Sequence, residues 1–384
     1  MSSLRRAASI EDFRRAARRR LPRMLFEYID GGSYDEVTLR RNVEDLQRLS
    51  LRQRVMQDMS RLDLRVQVLG QELAMPVALS AVGMAGMYSR RGETQAARSA
   101  LQAGIPFCLS TMGICSVEEV TRGSRPPWFQ LYVLKDRGYM RELLTRAHAA
   151  ACPVLVLTVD LPVPGARYRD VRSGFRGLTG MASRLNQIRD GLSRPAWLWD
   201  VWLRGRPHSL GSIAAAVGSG GSPADFLNWI GENFDRTVSW KDLEWIRAQW
   251  TRPIVIKGVL DPADAREAVQ MGVQGIVVSN HGGRQLDGVR SSISALPAIA
   301  DRVGNDLAVF MDGGIRSGLD VLKAVSLGAR ACFIGRAWAY ALGAGGKQGV
   351  TRMLATLRAE LEVAMILTGC KAVSSADRAL LDST

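Results

Sequence analysis

Apolar residues in this chain gather into short runs: VALSA (77–81), PFCLS (106–110), WFQLYV (128–133), VLVLTVD (154–160), PIVIKGV (253–259), GIVVSN (275–280), AVFMDGG (308–314) and ACFIG (331–335). Most are continuous in Val, Ile, Leu and Phe rather than alternating, which predicts parallel strands covered on both faces. Patterns of helical period fill most intervals: ETQAARSALQAG after the first run, DPADAREAVQMG after the fifth and SGLDVLKAVSLGA after the seventh. Gly104, Gly272 and Gly328 stand at the ends of these patterns, where a left-handed residue is cheapest as glycine. Eight strand–helix repeats predict an α/β fold, a (β/α)8 TIM barrel over residues 76–384. Residues 1–75 then form an N-terminal extension of helices and a hairpin packed on the barrel.

One interval breaks the rhythm. Between the fourth and fifth strands, residues 169–250 form a long insertion holding a GSGGS tract (218–222) and most of the tryptophans. Within it, PAWLWDVWLRGR (195–206) sets Trp197, Trp199, Trp202 and Leu203 beside arginines. Two readings follow: an apolar knot tucked against the barrel, or a peripheral membrane contact, since Trp, Leu and Arg together suit a lipid headgroup region. At the N-terminus, Ser9-Ile10-Glu11-Asp12 reads as a capping box and Arg18, Arg19 and Arg20 as the last turn of the same helix. The arginines there are those of a capped helix rather than of a transit peptide.

Composition narrows the classes. With 47% hydrophobic and 23% charged residues, the chain can build a full core and is not disordered. The net charge of +14 suits nucleic acid, an anionic membrane or an anionic ligand. No basic block is interleaved with stacking aromatics, which argues against nucleic acid. No apolar stretch reaches the roughly eighteen residues of a membrane span. Cys108, Cys115, Cys152, Cys332 and Cys370 lack metal-site spacing and read as inert core thiols in a reducing compartment, with no metal implied.

Chemistry in such a barrel belongs at the C-terminal ends of its strands. Those positions hold Ser110, Gln130, Tyr132, Thr158 and Asp160, with Arg167 in the following loop. The later strands end in Lys257, then Ser279, His281 and Arg284, then Asp312, Gly313, Gly314 and Arg316, and last Gly335 and Arg336. Polar groups interrupting apolar strands are costly unless partnered, so their concentration at one rim predicts a site. Lys257 would set a cation at the barrel mouth; the alternative is a snorkelling surface lysine. Glycines after strands seven and eight, with Arg316 and Arg336, predict a phosphate cradle, although either glycine motif alone could be a turn. His148 lies on a helix face and His208 in the insertion. His281, followed by Gly282, Gly283 and Arg284, combines a base with a carboxylate fork, against the alternative of a core histidine bonded to backbone.

The string VSNHGGRQLD, with VIKGV upstream and DGGIRSG and FIGRA downstream, resembles the FMN-dependent α-hydroxy acid dehydrogenases and oxidases. The resemblance runs from about Ile10 to Cys370. LPRMLFEYIDGG, TLRRNVEDL, GMYSRRGE, FQLYVLKDRG, TVDLPVPGARYRD and FDRTVSWKDLEWIR resemble its membrane-associated L-lactate dehydrogenase branch. It implies His281 as catalytic base, Asp160 as the carboxylate that orients it, Arg167 and Arg284 as the grip on a substrate carboxylate, and Tyr28 and Tyr132 as pocket phenols. It implies FMN contacts from Lys257, Ser110, Gln130, Thr158 and Ser279, with Asp312, Gly313, Gly314, Arg316, Gly335 and Arg336 as the ribityl and phosphate cradle. Met112 replaces the aromatic of plant glycolate oxidases. The implied activity is oxidation of L-lactate to pyruvate, with electrons passing to a membrane quinone. The implied setting is peripheral, at the cytoplasmic face of the inner (plasma) membrane, in a homotetramer. Alternatives are an oxygen-using 2-hydroxy acid oxidase, an L-mandelate dehydrogenase, an FMN-using phosphate-barrel isomerase and a catalytically silent flavin module.

Overall fold

The computed structural model describes residues 6–175, 188–206, 208, 211, 229 and 231–382. Three helices open the chain, α1 (Ile10–Arg20), α2 (Arg23–Asp30) and α3 (Val37–Arg48), followed by an antiparallel hairpin of β1 (Val66–Val68) and β2 (Gln71–Leu73). The capping box is formed: Ser9 Oγ accepts from the Asp12 N–H, and the Asp12 carboxylate accepts from the Ser9 N–H at 3.1 Å.

Eight parallel strands follow: β3 (Val77–Leu79), β4 (Cys108–Ser110), β5 (Trp128–Tyr132), β6 (Leu155–Thr158), β7 (Ile254–Val259), β8 (Gly275–Val278), β9 (Ala308–Asp312) and β10 (Ala331–Ile334). They alternate with α4 (Gly92–Gln102), α5 (Val117–Gly123), α6 (Arg137–Ala149), α7 (Tyr168–Arg172), α8 (Lys241–Gln249), α9 (Pro262–Gln270), α10 (Ser292–Val303), α11 (Gly318–Ser326) and α12 (Arg336–Thr368). Each strand lies beside its sequence neighbours, and β10 returns to β3. Leu79 bridges to Phe107, and its N–H donates to the Pro106 carbonyl at 2.9 Å, which closes the cylinder. Trp128, Phe310 and Phe333 meet across the interior at centroid distances of 6.0, 5.7 and 5.4 Å, so the barrel is a packed core with its opening at one end. Gly104, Gly272 and Gly328 take φ of +67°, +65° and +106° as their helices end.

Two sequence expectations need correction. Strand β7 does not stop at Lys257; it runs on to Val259, with a register irregularity at Gly258. In the insertion, Pro195–Trp197 and Leu198–Leu203 form short helical turns that divide the tryptophans. Trp197 turns inward and its Nε1–H donates to the Met87 carbonyl at 2.8 Å, while Asp200 pairs with Arg20 of α1 at 2.8 Å. Trp199, Trp202 and Leu203 remain 60%, 42% and 51% exposed. The knot and the exposed face are thus two sides of one turn, and Trp197 belongs to the knot. The GSGGS tract lies outside the described residues. All five cysteines are free and buried, and burial pushes Cys115 and Cys152 up to about 12. Among the described residues no helix is long and apolar enough to cross a membrane.

Candidate active site

The turn after β8 is built around left-handed backbone. His281, Gly282 and Gly283 have φ of +57°, +64° and +70°. A side chain at Gly283 would lie 2.6 Å from the Leu39 backbone nitrogen, so glycine lets α3 pack against the turn. His281 tolerates its strained conformation because neighbours hold it: its N–H donates to Ser279 Oγ at 3.0 Å. Its Nδ1 lies 2.9 Å from Asp160 Oδ1 at the end of β6. A carboxylate only accepts, so Nδ1 carries the proton, and Nε2 keeps a lone pair for the cleft.

Electrostatics agree with that tautomer. Burial is the largest influence on His281 and lowers its pKa below the ordinary histidine value; Lys257 and Arg167 push the same way, against Asp160. Burial would raise Asp160, but its interaction with His281, a hydrogen bond included, and the Lys257 charge outweigh it and hold the carboxyl below its ordinary range. Among the described residues Asp160 Oδ2 is buried without a partner, a reserve acceptor beside a base that must become positive. Lys257 is buried on β7, with Nζ 2.9 Å from both Asp312 Oδ2 and Ser279 Oγ. Burial disfavours its charge, yet Asp312 and Asp160 raise its pKa, so it is a fixed cation and not a snorkelling surface lysine.

These groups border a cleft at the C-terminal mouth of the barrel that encloses about 1250 Å³, solvent at its opening included. Tyr28, Gln130, Tyr132, Thr158, Arg167, Lys257, His281, Arg284, Asp312, Gly313, Gly314, Arg316, Gly335 and Arg336 all line it. Asp160, Ser110 and Ser279 lie one layer behind. Asp160 and Ser279 act on the cleft through His281 and Lys257. Ser110 Oγ donates to Gln130 Oε1 at 3.2 Å, and Gln130 Nε2 donates to Thr158 Oγ1 at 3.0 Å, which fixes the amide facing the cleft. His148 is an exposed helix residue edge-on to Trp250, and His208 stacks on Trp202; neither lines the cleft.

At one end of the cleft the chain is prepared for an anion. Gly313 and Gly314 adopt φ of +93° and +89°, and a Cβ on Gly314 would fall 2.0 Å from the Asn42 carbonyl oxygen. A Cβ on Gly335, which caps α12, would meet only open space. Arg336 is buried and donates to the carbonyls of Ile29, Gly282 and Gly31 at 3.1, 2.7 and 2.8 Å, which leaves two N–H groups rather than a full fork. Burial, reinforced by Arg284 and Arg316, lowers its pKa to about 9. Arg316 donates its own guanidinium only to the Ile315 carbonyl at 2.8 Å among the described residues. Two guanidiniums that pair with no carboxylate among the described residues, beside a helix N-terminus with open space above its cap, suit a phosphate.

A family model described as FMN-dependent dehydrogenase matches residues 17–383. The chain belongs to this family. L-lactate dehydrogenase of Caulobacter vibrioides (strain NA1000 / CB15N) is 56% identical over 375 residues, covering 97% of this chain and 97% of the relative. L-lactate dehydrogenase of Alcaligenes faecalis is 55% identical, with 97% and 98% coverage. Among solved structures, the monotopic membrane protein (S)-mandelate dehydrogenase superposes with a TM-score of 0.92 at 31% identity, covering 99% of this chain and 100% of that one. A mandelate oxidase with (S)-4-hydroxymandelic acid superposes with a TM-score of 0.84 at 36% identity, with 98% coverage of each. The protein is an FMN-dependent dehydrogenase, and its cleft fits that cofactor: a cation-lined phosphate end, polar side chains along β5 and β6, and a buried cation midway.

Several cleft residues were not singled out from sequence. Ser80, Ala81, Val82 and Gly83 after β3 form one wall, and Phe234 near the end of the insertion stands edge-on to Tyr132 at 5.4 Å. Ser80 and Ala81 at the end of VALSA, with Gly83 just beyond it, carried the only signal for that wall. Asn42 of α3 and Asn280 exchange two amide hydrogen bonds of 2.8 Å, joining the extension to the His281 turn. A polar residue between Thr38 and Leu46 on the buried stripe of α3 was the available clue.

Proposed function

We propose that this protein oxidises L-lactate to pyruvate and passes the electrons to a membrane quinone. The observation that carries this reading is the His281–Asp160 pair, with a neutral imidazole facing a cleft that also holds Arg167 and Arg284. Pyruvate is lactate less two electrons and two protons. FMN, when bound, would accept the two electrons together with the second proton. His281 Nε2 takes one proton from the substrate carbinol, and Asp160 compensates the imidazolium that results. Arg284 stands above the Tyr28 ring at 4.8 Å and Arg167 Nε donates to the Arg284 carbonyl at 3.3 Å, so two guanidiniums border one region suited to a carboxylate. Lys257 presents a fixed positive charge to negative charge developing in the cleft. The lactate assignment draws on the relatives at 54–57% identity. Added anaerobically, L-lactate should bleach the bound flavin's visible absorption, and an unchanged spectrum would remove this activity. Parallel assays with L-mandelate and glycolate, with a quinone analogue and with oxygen while peroxide is measured, separate it from mandelate dehydrogenase and oxidase activities.

The same reading makes the protein peripheral to the cytoplasmic face of the inner (plasma) membrane. Support comes from the exposed apolar side chains Ile188, Leu192, Trp199, Trp202 and Leu203, with Arg204 over the Trp199 ring at 5.9 Å, and from the monotopic neighbour. Holoenzyme should sediment with phosphatidylglycerol vesicles, and a Trp199→Ser, Trp202→Ser double variant should stay in the supernatant with lactate turnover intact. Wild-type protein left in the supernatant would end the membrane reading. A homotetramer belongs to the same reading, carried by the family resemblance alone.

A further inference from the structure

Arg169 lies two residues beyond Arg167 but does not line the cleft; it reaches to the N-terminal extension. Its guanidinium pairs with Glu27, with Asp30 Oδ2 at 2.7 Å and with Glu36 Oε1 at 3.4 Å. Asp30 is buried and also accepts from Arg14 at 2.5 and 2.9 Å and from the Tyr340 hydroxyl at 2.7 Å. Burial would raise its pKa, but Arg14, Arg169 and Tyr340 hold it well below the carboxylate range. The residues flanking Asp30 hold site arginines: Tyr28 and Gly31 carbonyls accept from Arg284 at 2.6 and 2.8 Å. One ion-pair network therefore ties the segment carrying Arg167 to the segment gripping Arg284.

We propose that Arg169 is a positioning residue, clamping residues 165–172 onto residues 28–31 and so setting the separation of Arg167 and Arg284. Two like charges repel when no anion lies between them, and a shift of about 1 Å at a reacting group can cost about a hundredfold. The clamp must therefore be stiff, and it must bond acids on α2 and beyond it simultaneously. A rigid guanidinium fork does this where a lysine's single ammonium cannot.

The inference rests on Arg167 and Arg284 gripping the substrate carboxylate, and its test separates the two claims. In holoenzyme, Arg169→Met should raise KM for L-lactate about tenfold or more, with kcat within about threefold and flavin content unchanged. Arg169→Lys should fall between wild type and Arg169→Met. Asp30→Asn should act in the same direction, and the double variant should add little to either single one. Oxalate affinity, read from the flavin absorbance without turnover, should weaken in parallel with KM. An unchanged KM in Arg169→Met overturns the clamp, as does a joint fall of kcat, flavin content and melting temperature at constant KM. Arg167→Met is the control. If it leaves oxalate affinity intact, the carboxylate reading fails; if it weakens oxalate while Arg169→Met does not, only the clamp fails.

Discussion

His281→Gln should keep its flavin and lose turnover by about 10²–10⁴-fold, the usual worth of a positioned general base. Glutamine fills similar space and can still donate a hydrogen bond to Asp160, so the turn and the cofactor end of the cleft should survive. What disappears is a lone pair able to accept a proton. The pH dependence follows from the direction of the shift. Burial, with Lys257 and Arg167 in support, holds His281 below its ordinary value of 6.5. The base is therefore competent through neutral pH, and wild-type kcat/KM should be flat there and fall only on the acid side of that value. In His281→Gln that acid limb should vanish along with most of the rate. A variant that turns over lactate at wild-type speed, or keeps the same limb, would remove His281 from the base position.

The barrel was legible because its strands are buried on both faces. Continuous runs such as VLVLTVD and ACFIG have no other economical place in a chain of this composition. The rim was legible for a related reason: Lys257, Asp160 and His281 interrupt apolar strands and demand partners, and the structure supplies them at the same rim, Asp312 to Lys257 and Asp160 to His281. Relations between distant segments were not legible. Nothing in TLRRNVEDL says that Asn42 will face Asn280, and nothing in the run of tryptophans says that Trp197 alone turns inward, because both depend on three-dimensional packing. Layering was also hidden. Ser110 and Ser279 occupy strand-end positions like those of Gln130 and Lys257 and share their faces, yet the short serine hydroxyls stop at the longer side chains they bond, so reach rather than position along the strand decides which group meets the cleft.

Lys257→Met should lose turnover by about 10²–10³-fold, the scale of removing one preorganised charge-stabilising donor. It should also be less stable by about 3–5 kcal/mol, because it strips a buried carboxylate of its cation. Asp312 is the group at risk: its Oδ2 depends on Lys257 Nζ at 2.9 Å, and its Oδ1 is buried with no partner among the described residues. The two losses have different causes and can be parted. Adding Asp312→Asn to Lys257→Met removes the stranded charge, so the double variant should regain much of the melting temperature and none of the turnover. Recovery of both would mean that Lys257 merely holds the strand ends together. The alkaline side gives an independent check. The folded pKa of Lys257 is raised by Asp312 and Asp160 despite burial, so its contribution is complete below the unfolded value of 10.5 and is lost as pH climbs through the folded one. Wild-type protein should therefore lose an increment of stability above pH 10.5 that Lys257→Met, having no ammonium to titrate, does not show.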